Sequence, residues 1–172
     1  MPETILVTYA TRYGSTQEVA EQIATVLRKN GLTVDVQPAR QVQSLEGYCA
    51  VVLGAPLYIG RWLKEAQKFL ARHQQALTER PVALFVLGPT KTAEVNDPVV
   101  RAQLDQELAR VPWLKPVATE LFGGKYDPAN LRFPDTLLKA FPASPLYKAP
   151  VSDTRNWDAI RAWATSLVES LR

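Results

Sequence analysis

Three short stretches of this chain are apolar at every position: Ile5-Leu6-Val7, Ala50-Val51-Val52-Leu53 and Val82-Ala83-Leu84-Phe85-Val86-Leu87. A strand that is apolar on both faces must be covered on both, which suits the middle of a parallel sheet. Leu32, Val34 and Val36 alternate with polar residues and predict a second strand; Val117 to Phe122 predicts a fifth. Between these runs, apolar residues recur at helical spacing. One stripe is Val19, Ala20, Ile23, Ala24 and Leu27; others run through Trp62, Ala66, Phe69, Leu70 and Leu77, and through Ile160, Trp163, Ala164, Leu167 and Leu171. Strands alternating with helices imply βαβ units and a doubly wound, five-stranded parallel α/β sheet between two helical layers. Right-handed crossovers then favour strand order 2-1-3-4-5, with a ligand crevice at the carboxyl ends of strands 1 and 3. That rule points at the loops Thr8–Thr16 and Gly54–Trp62.

Local signals punctuate this pattern. Ser15 and Glu18 have capping-box spacing, and Gly31 ends the helix they open. Asp97-Pro98 reads as an N-cap followed by proline at the first helical position, with Val99, Leu104 and Leu108 behind it. Ser152 or Asp153 is expected to cap the last helix. The segment from Gly123 to Val151 is rich in Pro, Tyr and Phe, with a short amphipathic helix expected around Asp135 to Phe141.

Composition removes several function classes. A chain of 172 residues can bury a sizeable core as one domain. A lone cysteine, Cys49, lies beside an apolar strand and reads as a core thiol. A lone histidine, His73, sits in a polar helix stretch and cannot assemble a His-based metal site, so no metal site is expected. No window is apolar enough to span a bilayer, and the N-terminus lacks the features of a signal peptide. A cytoplasmic protein is expected, in one version lying on the inner face of the membrane. The net charge of +3 permits acidic partners, but no nucleic-acid-binding signature is present and no nucleic-acid partner is expected.

The first loop carries the clearest chemistry. Thr11-Arg12-Tyr13-Gly14-Ser15-Thr16 joins strand 1 to helix 1 and offers three hydroxyls beside the backbone N–H groups of a helix N-terminus. Such a site holds phosphate through hydrogen bonds and the helix dipole. Gly14 lets the backbone approach the oxygens. The loop lacks the lysine and paired glycines of a P-loop and the three glycines of a dinucleotide loop. Hydroxyls around a single glycine suit a terminal monophosphate. Taken alone, the loop is equally well a capped helix start.

Thr11-x-Tyr13-Gly14-Ser15-Thr16, following Leu6-Val7-Thr8-Tyr9-Ala10, resembles the flavodoxin phosphate loop, with Tyr13 where that family usually has threonine. Gly54-Ala55-Pro56-Leu57-Tyr58-Ile59-Gly60 resembles the second flavodoxin loop, and Leu87-Gly88-Pro89-Thr90 the start of the third. The resemblance covers most of the chain. It implies a flavodoxin-like domain over residues 1–172, FMN as cofactor, and a cofactor site built from Thr11, Arg12, Tyr13, Gly14, Ser15, Thr16, Pro56, Leu57, Tyr58, Ile59, Gly60, Leu87, Gly88, Pro89 and Thr90. Closer still is the bacterial menaquinone-dependent protoporphyrinogen oxidase group. It resembles this chain in Gly54-Ala55 with Gly60, in an aromatic and basic insertion at about 124–151, and in the run Ser152-Asp153-Thr154-Arg155. That group implies heme biosynthesis, with protoporphyrinogen as substrate and a quinone as electron acceptor.

Flavin chemistry belongs mostly to the cofactor, with the protein supplying orientation, stacking and hydrogen bonds. Tyr58 and Trp62 are the stacking candidates; for Trp62 a core position is the competing expectation. Arg61, Lys64, Lys68 and Arg72 fall on one helix face, either a solvated face or a docking patch for an acidic redox partner, anionic lipid or porphyrin carboxylates. The insertion mixes Tyr126, Phe133, Leu137, Leu138, Phe141, Leu146 and Tyr147 with Lys125, Arg132, Lys139 and Lys148. It suits a membrane interface, a lid over the flavin, or a packed loop. No catalytic acid–base pair can be placed. The expected function is an FMN-dependent oxidoreductase; the alternatives are a non-catalytic FMN electron carrier and a flavin-free interaction module.

Overall fold

The apolar runs become the centre of one sheet. The structure is a computed structural model that describes residues 3–58, 60–88, 97–132, 135–144 and 150–172. Five strands pair in parallel: β1 (Thr4–Tyr9), β2 (Thr33–Pro38), β3 (Tyr48–Tyr58), β5 (Val82–Leu87) and β6 (Ala118–Phe122). Their order is β2-β1-β3-β5-β6, which is the expected 2-1-3-4-5 once a two-residue strand, β4 (Arg61–Trp62), is set aside. β4 turns back antiparallel on the end of β3. The fold is the flavodoxin-like α/β arrangement that the sequence predicts.

Helices cover both faces. α1 (Ser15–Lys29) and α5 (Trp157–Ser170) pack on one, where Val19, Ile23 and Leu27 meet Ile5, Val7, Val52, Phe85, Ile160 and Leu167. α2 (Lys64–Arg72), α3 (Gln74–Thr78) and α4 (Pro98–Ala109) lie on the other, around Leu6, Val51, Leu53, Phe69, Leu70, Leu84, Val86 and Leu104. Gly54 makes room for its cross-strand neighbour in β5, since a Cβ there would fall 1.9 Å from the ring of Phe85.

Several local expectations need correction. Gly14, not Ser15, caps α1, with φ at +90°, and no side chain closes that helix start; Glu18 pairs with Arg155 instead. The helix expected from Trp62 to Leu77 breaks at His73 into α2 and α3, and Trp62 precedes both in β4. His73 is buried against the Phe69 ring rather than lying in a polar stretch. The last helix is capped by Asn156, whose Oδ1 accepts from the Ala159 N–H at 3.0 Å; Ser152 and Asp153 lie in a further strand. Asp97 caps α4 as predicted, accepting from the Val99 N–H at 2.8 Å, with Pro98 following it.

After β6 the chain enters β7 (Lys125–Tyr126), which pairs antiparallel with β8 (Ser152–Asp153). The two short strands draw together the ends of the Pro- and aromatic-rich segment. Within it, residues Asp135–Ala140 form a 3-10 turn where the sequence predicts a short helix.

Candidate functional site

Strand β1 ends at Tyr9, and α1 begins at Ser15. The five residues between them, Ala10 to Gly14, lead into the helix start where the sequence predicts phosphate binding. Thr11 Oγ1 accepts a hydrogen bond from the Gly14 N–H at 2.8 Å and fixes the turn. The first N–H groups of any α-helix lack intrahelical partners, and here no side chain caps them. Thr16 is fully buried in the first turn, and its Oγ1 has no hydrogen-bond partner among the described residues. Thr8 Oγ1, at the end of β1, is in the same condition. A buried hydroxyl without a partner costs about 1–3 kcal/mol, so Thr16 beside an uncapped helix start is suited to a ligand that completes its bonding. The pattern fits a phosphate monoester. Thr8 opens the predicted Thr8–Thr16 loop but stands outside the predicted cofactor set, although a single polar residue near the end of an apolar strand was its signal.

The second loop is more regular than its sequence suggests. Gly54 to Tyr58 continue β3, pairing first with β5 (Gly54 with Phe85, Ala55 with Val86, Pro56 with Leu87) and then with β4 (Leu57 with Trp62, Tyr58 with Arg61). Pro56, Leu57 and Tyr58 are half-buried, as is Gly60 in the turn into β4. Trp62 is buried in the core beside Ala66 and Leu70, which removes it as a stacking group. Leu87 points its side chain into the core, leaving only its backbone for a ligand; the Gly88 N–H is already bonded to the Phe122 carbonyl at 2.8 Å. Ile59, Pro89 and Thr90 lie outside the described residues.

What joins the two loops is a residue that in the sequence stands only at the edge of an expected short helix. Asp135, 3% exposed, lies against Arg12, Tyr13 and Tyr58. Its Oδ1 accepts from the Tyr58 hydroxyl at 2.5 Å. Its Oδ2 accepts from the Tyr13 hydroxyl and pairs with Arg12 Nε. The Arg12 guanidinium also lies over the Tyr58 ring, 4.8 Å from its centroid. Burial pushes the Asp135 carboxyl up, but the donors Tyr13, Tyr58 and Arg12 outweigh it and hold the group below the usual carboxylate range. Burial, and then the bond to Asp135, push the Tyr58 phenol up to about 12.

A second charged group supports the loop from behind. The Arg155 side chain is 2% exposed; its Nη2 meets Asp153 Oδ2 at 2.7 Å and its Nη1 meets Glu18 Oε2 at 2.9 Å. Nη1 also donates to the Ser15 carbonyl at 3.3 Å, tying the start of α1 to β8. The hydrogen bond to Asp153 is the main reason the Arg155 pKa is raised. The basic stripe is divided: Lys64, Lys68 and Arg72 are exposed, while Arg61 pairs with the buried Glu107. Among the described residues no cluster could hold a metal ion, and no helix is long and apolar enough to cross a membrane.

Known proteins share this fold. Over 82 residues the chain is 30% identical to the protoporphyrinogen IX dehydrogenase [quinone] of Escherichia coli K12, a match covering 46% of this chain and 45% of the relative. The match thus spans less than half of that relative's length. Flavodoxin 1 of Bacillus cereus superposes with a TM-score of 0.61 at 16% identity, over 98% of this chain and 99% of that one. A mutant flavodoxin of Pseudomonas aeruginosa does so with a TM-score of 0.59 at 14% identity, over 98% of each chain. The sequence model of the flavodoxin domain family matches residues 6–145. The chain therefore belongs to the flavodoxin domain family, with FMN as its cofactor and electron transfer as its chemistry.

Proposed function

We propose that this protein is an FMN-dependent oxidoreductase that takes electrons from a bulky reduced substrate of the protoporphyrinogen class and passes them to a quinone. The observation that carries this reading is Asp135, which brings the 124–151 segment onto both loops of the site. A bare electron carrier has no need of a segment over its flavin. The partial match to a quinone-linked protoporphyrinogen IX dehydrogenase supports the same direction.

In this reading residues 1–172 form one flavodoxin-like domain, and the 124–151 segment is an insertion in it. FMN supplies the electron-accepting ring. Thr11, Gly14, Ser15 and Thr16, with the first N–H groups of α1, hold its phosphate, and Arg12 and Tyr13 border it. Pro56 to Gly60 and Leu87 to Thr90 border the ring, with Tyr58 as the aromatic wall. The exposed Lys64, Lys68 and Arg72 receive carboxylates of the substrate or an anionic partner. Leu137 and Phe141 are about half exposed beside the exposed Lys139, which suits contact with the inner surface of a membrane.

The test is anaerobic reduction of the FMN-loaded protein by protoporphyrinogen, followed by reoxidation with a menaquinone analogue. Turnover that disappears when residues 128–150 are replaced by a short linker, with FMN retained, supports the enzyme. A flavin that the substrate does not reduce overturns it. A plain electron carrier is the second reading, favoured by the superposition on whole flavodoxin chains. It requires the shortened protein to transfer electrons to a reductase as well as the parent does.

A further inference from the structure

Four groups that a ligand would use are engaged with one another. Asp135 accepts from both Tyr13 and Tyr58 and pairs with Arg12. Tyr13 Oη also receives Arg12 Nε at 3.3 Å and the Arg132 N–H at 3.5 Å, so the 124–151 segment grips this phenol with a second residue. The grip is braced inside the segment: the Thr136 N–H donates to the Arg132 carbonyl at 3.1 Å, and Lys139 Nζ to the Pro128 carbonyl at 3.3 Å. The guanidinium of Arg12 covers a face of the Tyr58 ring.

The contacts are specific in their chemistry. One carboxylate neutralises the single cation of the phosphate loop and accepts a hydrogen bond from each of two phenols. A phosphate monoester at the loop would gain from that cation, and a flat ring would stack on the face of Tyr58. The hydroxyl of Thr16 and the uncapped N–H groups of α1 stay out of this network. The buried Thr16 hydroxyl is therefore left unpartnered, while the outer part of the site is occupied by the protein's own carboxylate.

We propose that Asp135 is an internal latch: in the cofactor-free chain it holds Arg12 on Tyr58 and keeps Tyr13 engaged, and FMN binds as these contacts are released. The inference rests on the FMN site described above. Asp135 is a positioning residue, acting through Arg12, Tyr13 and Tyr58. A binding-competent state that must first be freed lowers the apparent affinity by its own population. Weakening the latch therefore strengthens cofactor binding, which is the reverse of what happens when a brace of the bound state is removed.

The experiment measures FMN association and affinity by quenching of flavin fluorescence, for the parent protein, Asp135→Asn and Tyr58→Phe. Asp135→Asn keeps the shape and removes the charge; Tyr58→Phe keeps the ring and removes one donor. Thermal melts first establish that each variant is folded, and Tyr58→Phe carries the test if Asp135→Asn is not. The expected result is an association rate and an affinity that rise about tenfold in Asp135→Asn and about threefold in Tyr58→Phe. Hydrogen exchange in the parent supplies an independent readout: the amides of 128–132 and 136–140 should exchange faster once FMN is saturating. Weaker FMN binding in both variants, or greater protection of those amides in the complex, overturns the latch and leaves the FMN site intact. Absence of FMN binding in all three proteins overturns the site itself, and the latch with it.

Discussion

The Tyr58 hydroxyl donates to Asp135 at 2.5 Å across 77 positions of sequence, and the two residues make the alkaline behaviour of this protein predictable. Burial and the neighbouring carboxylate both favour the neutral phenol, raising its pKa from 10.0 to about 12. A raised pKa contributes stability that is fully present below the unfolded value and is lost as pH climbs through the folded one. Tyr58 therefore stabilises the fold below about pH 10, and that contribution disappears on the way to about pH 12. Phenolate absorbance should show the effect directly. The difference between the titrations of the parent and Tyr58→Phe should fall near pH 12; a difference centred at 10 would refute the assignment.

Thr16 should separate cofactor binding from stability. Replacing it with valine removes a buried hydroxyl that has no partner among the described residues and keeps the branched shape. The cofactor-free protein should melt about 2–4 °C higher, from recovery of about 1 kcal/mol. FMN affinity should fall about tenfold. Calorimetry and a flavin titration on the same sample check both, and a lower melting temperature would show that the hydroxyl is satisfied in the free protein.

Arg155 is expected to matter to both the fold and the phosphate loop. Arg155→Met leaves Asp153 and Glu18 without their shared cation and releases the Ser15 carbonyl. Both carboxylates keep substantial contact with water, so the cost should be about 2–3 kcal/mol, below that of a fully buried pair. Urea denaturation measures it. Arg155→Lys should recover only part of the loss, because an ammonium cannot bond two partners with a planar fork.

The basic face of α2 can be tested without disturbing the core. Arg61 is anchored to Glu107, so reversing its charge would place two carboxylates together. Lys64 and Lys68 are exposed, and changing both to Glu should leave stability within about 0.5 kcal/mol. Binding to anionic vesicles or to an acidic electron-transfer partner should weaken severalfold at low salt and converge with the parent at high salt. Unchanged binding at low salt would exclude this face as the docking surface.

The sheet and the capping of α4 were legible because their signals are local. An apolar run such as Val82–Leu87 states its own burial, and Asp97-Pro98 names its own helix start. The capping box at Ser15 failed because Glu18 was drawn to Arg155, 137 positions away, and the cap expected at Ser152 or Asp153 failed because both residues entered strand β8. Asp135 was visible in the sequence as one of two carboxylates in a basic stretch between Gly124 and Val151. Nothing in that stretch states its partners, since Tyr13 is 122 positions distant. The residues of the Thr11–Thr16 loop could be read locally; the carboxylate that meets Arg12 and Tyr13 could be found only after folding.

The pairing of β7 with β8 gives the segment between them an unusual freedom. The chain enters and leaves this segment at one doorway, held by Lys125 opposite Asp153 and Tyr126 opposite Ser152. Doubling the length of such a loop costs only about 0.6 kcal/mol in closure entropy, and neither the order nor the register of the main sheet depends on it. Evolution can therefore lengthen, shorten or rewrite this excursion with little risk to the flavin scaffold. Relatives built on the same sheet should differ most in what they act upon where their sequences differ between these two short strands.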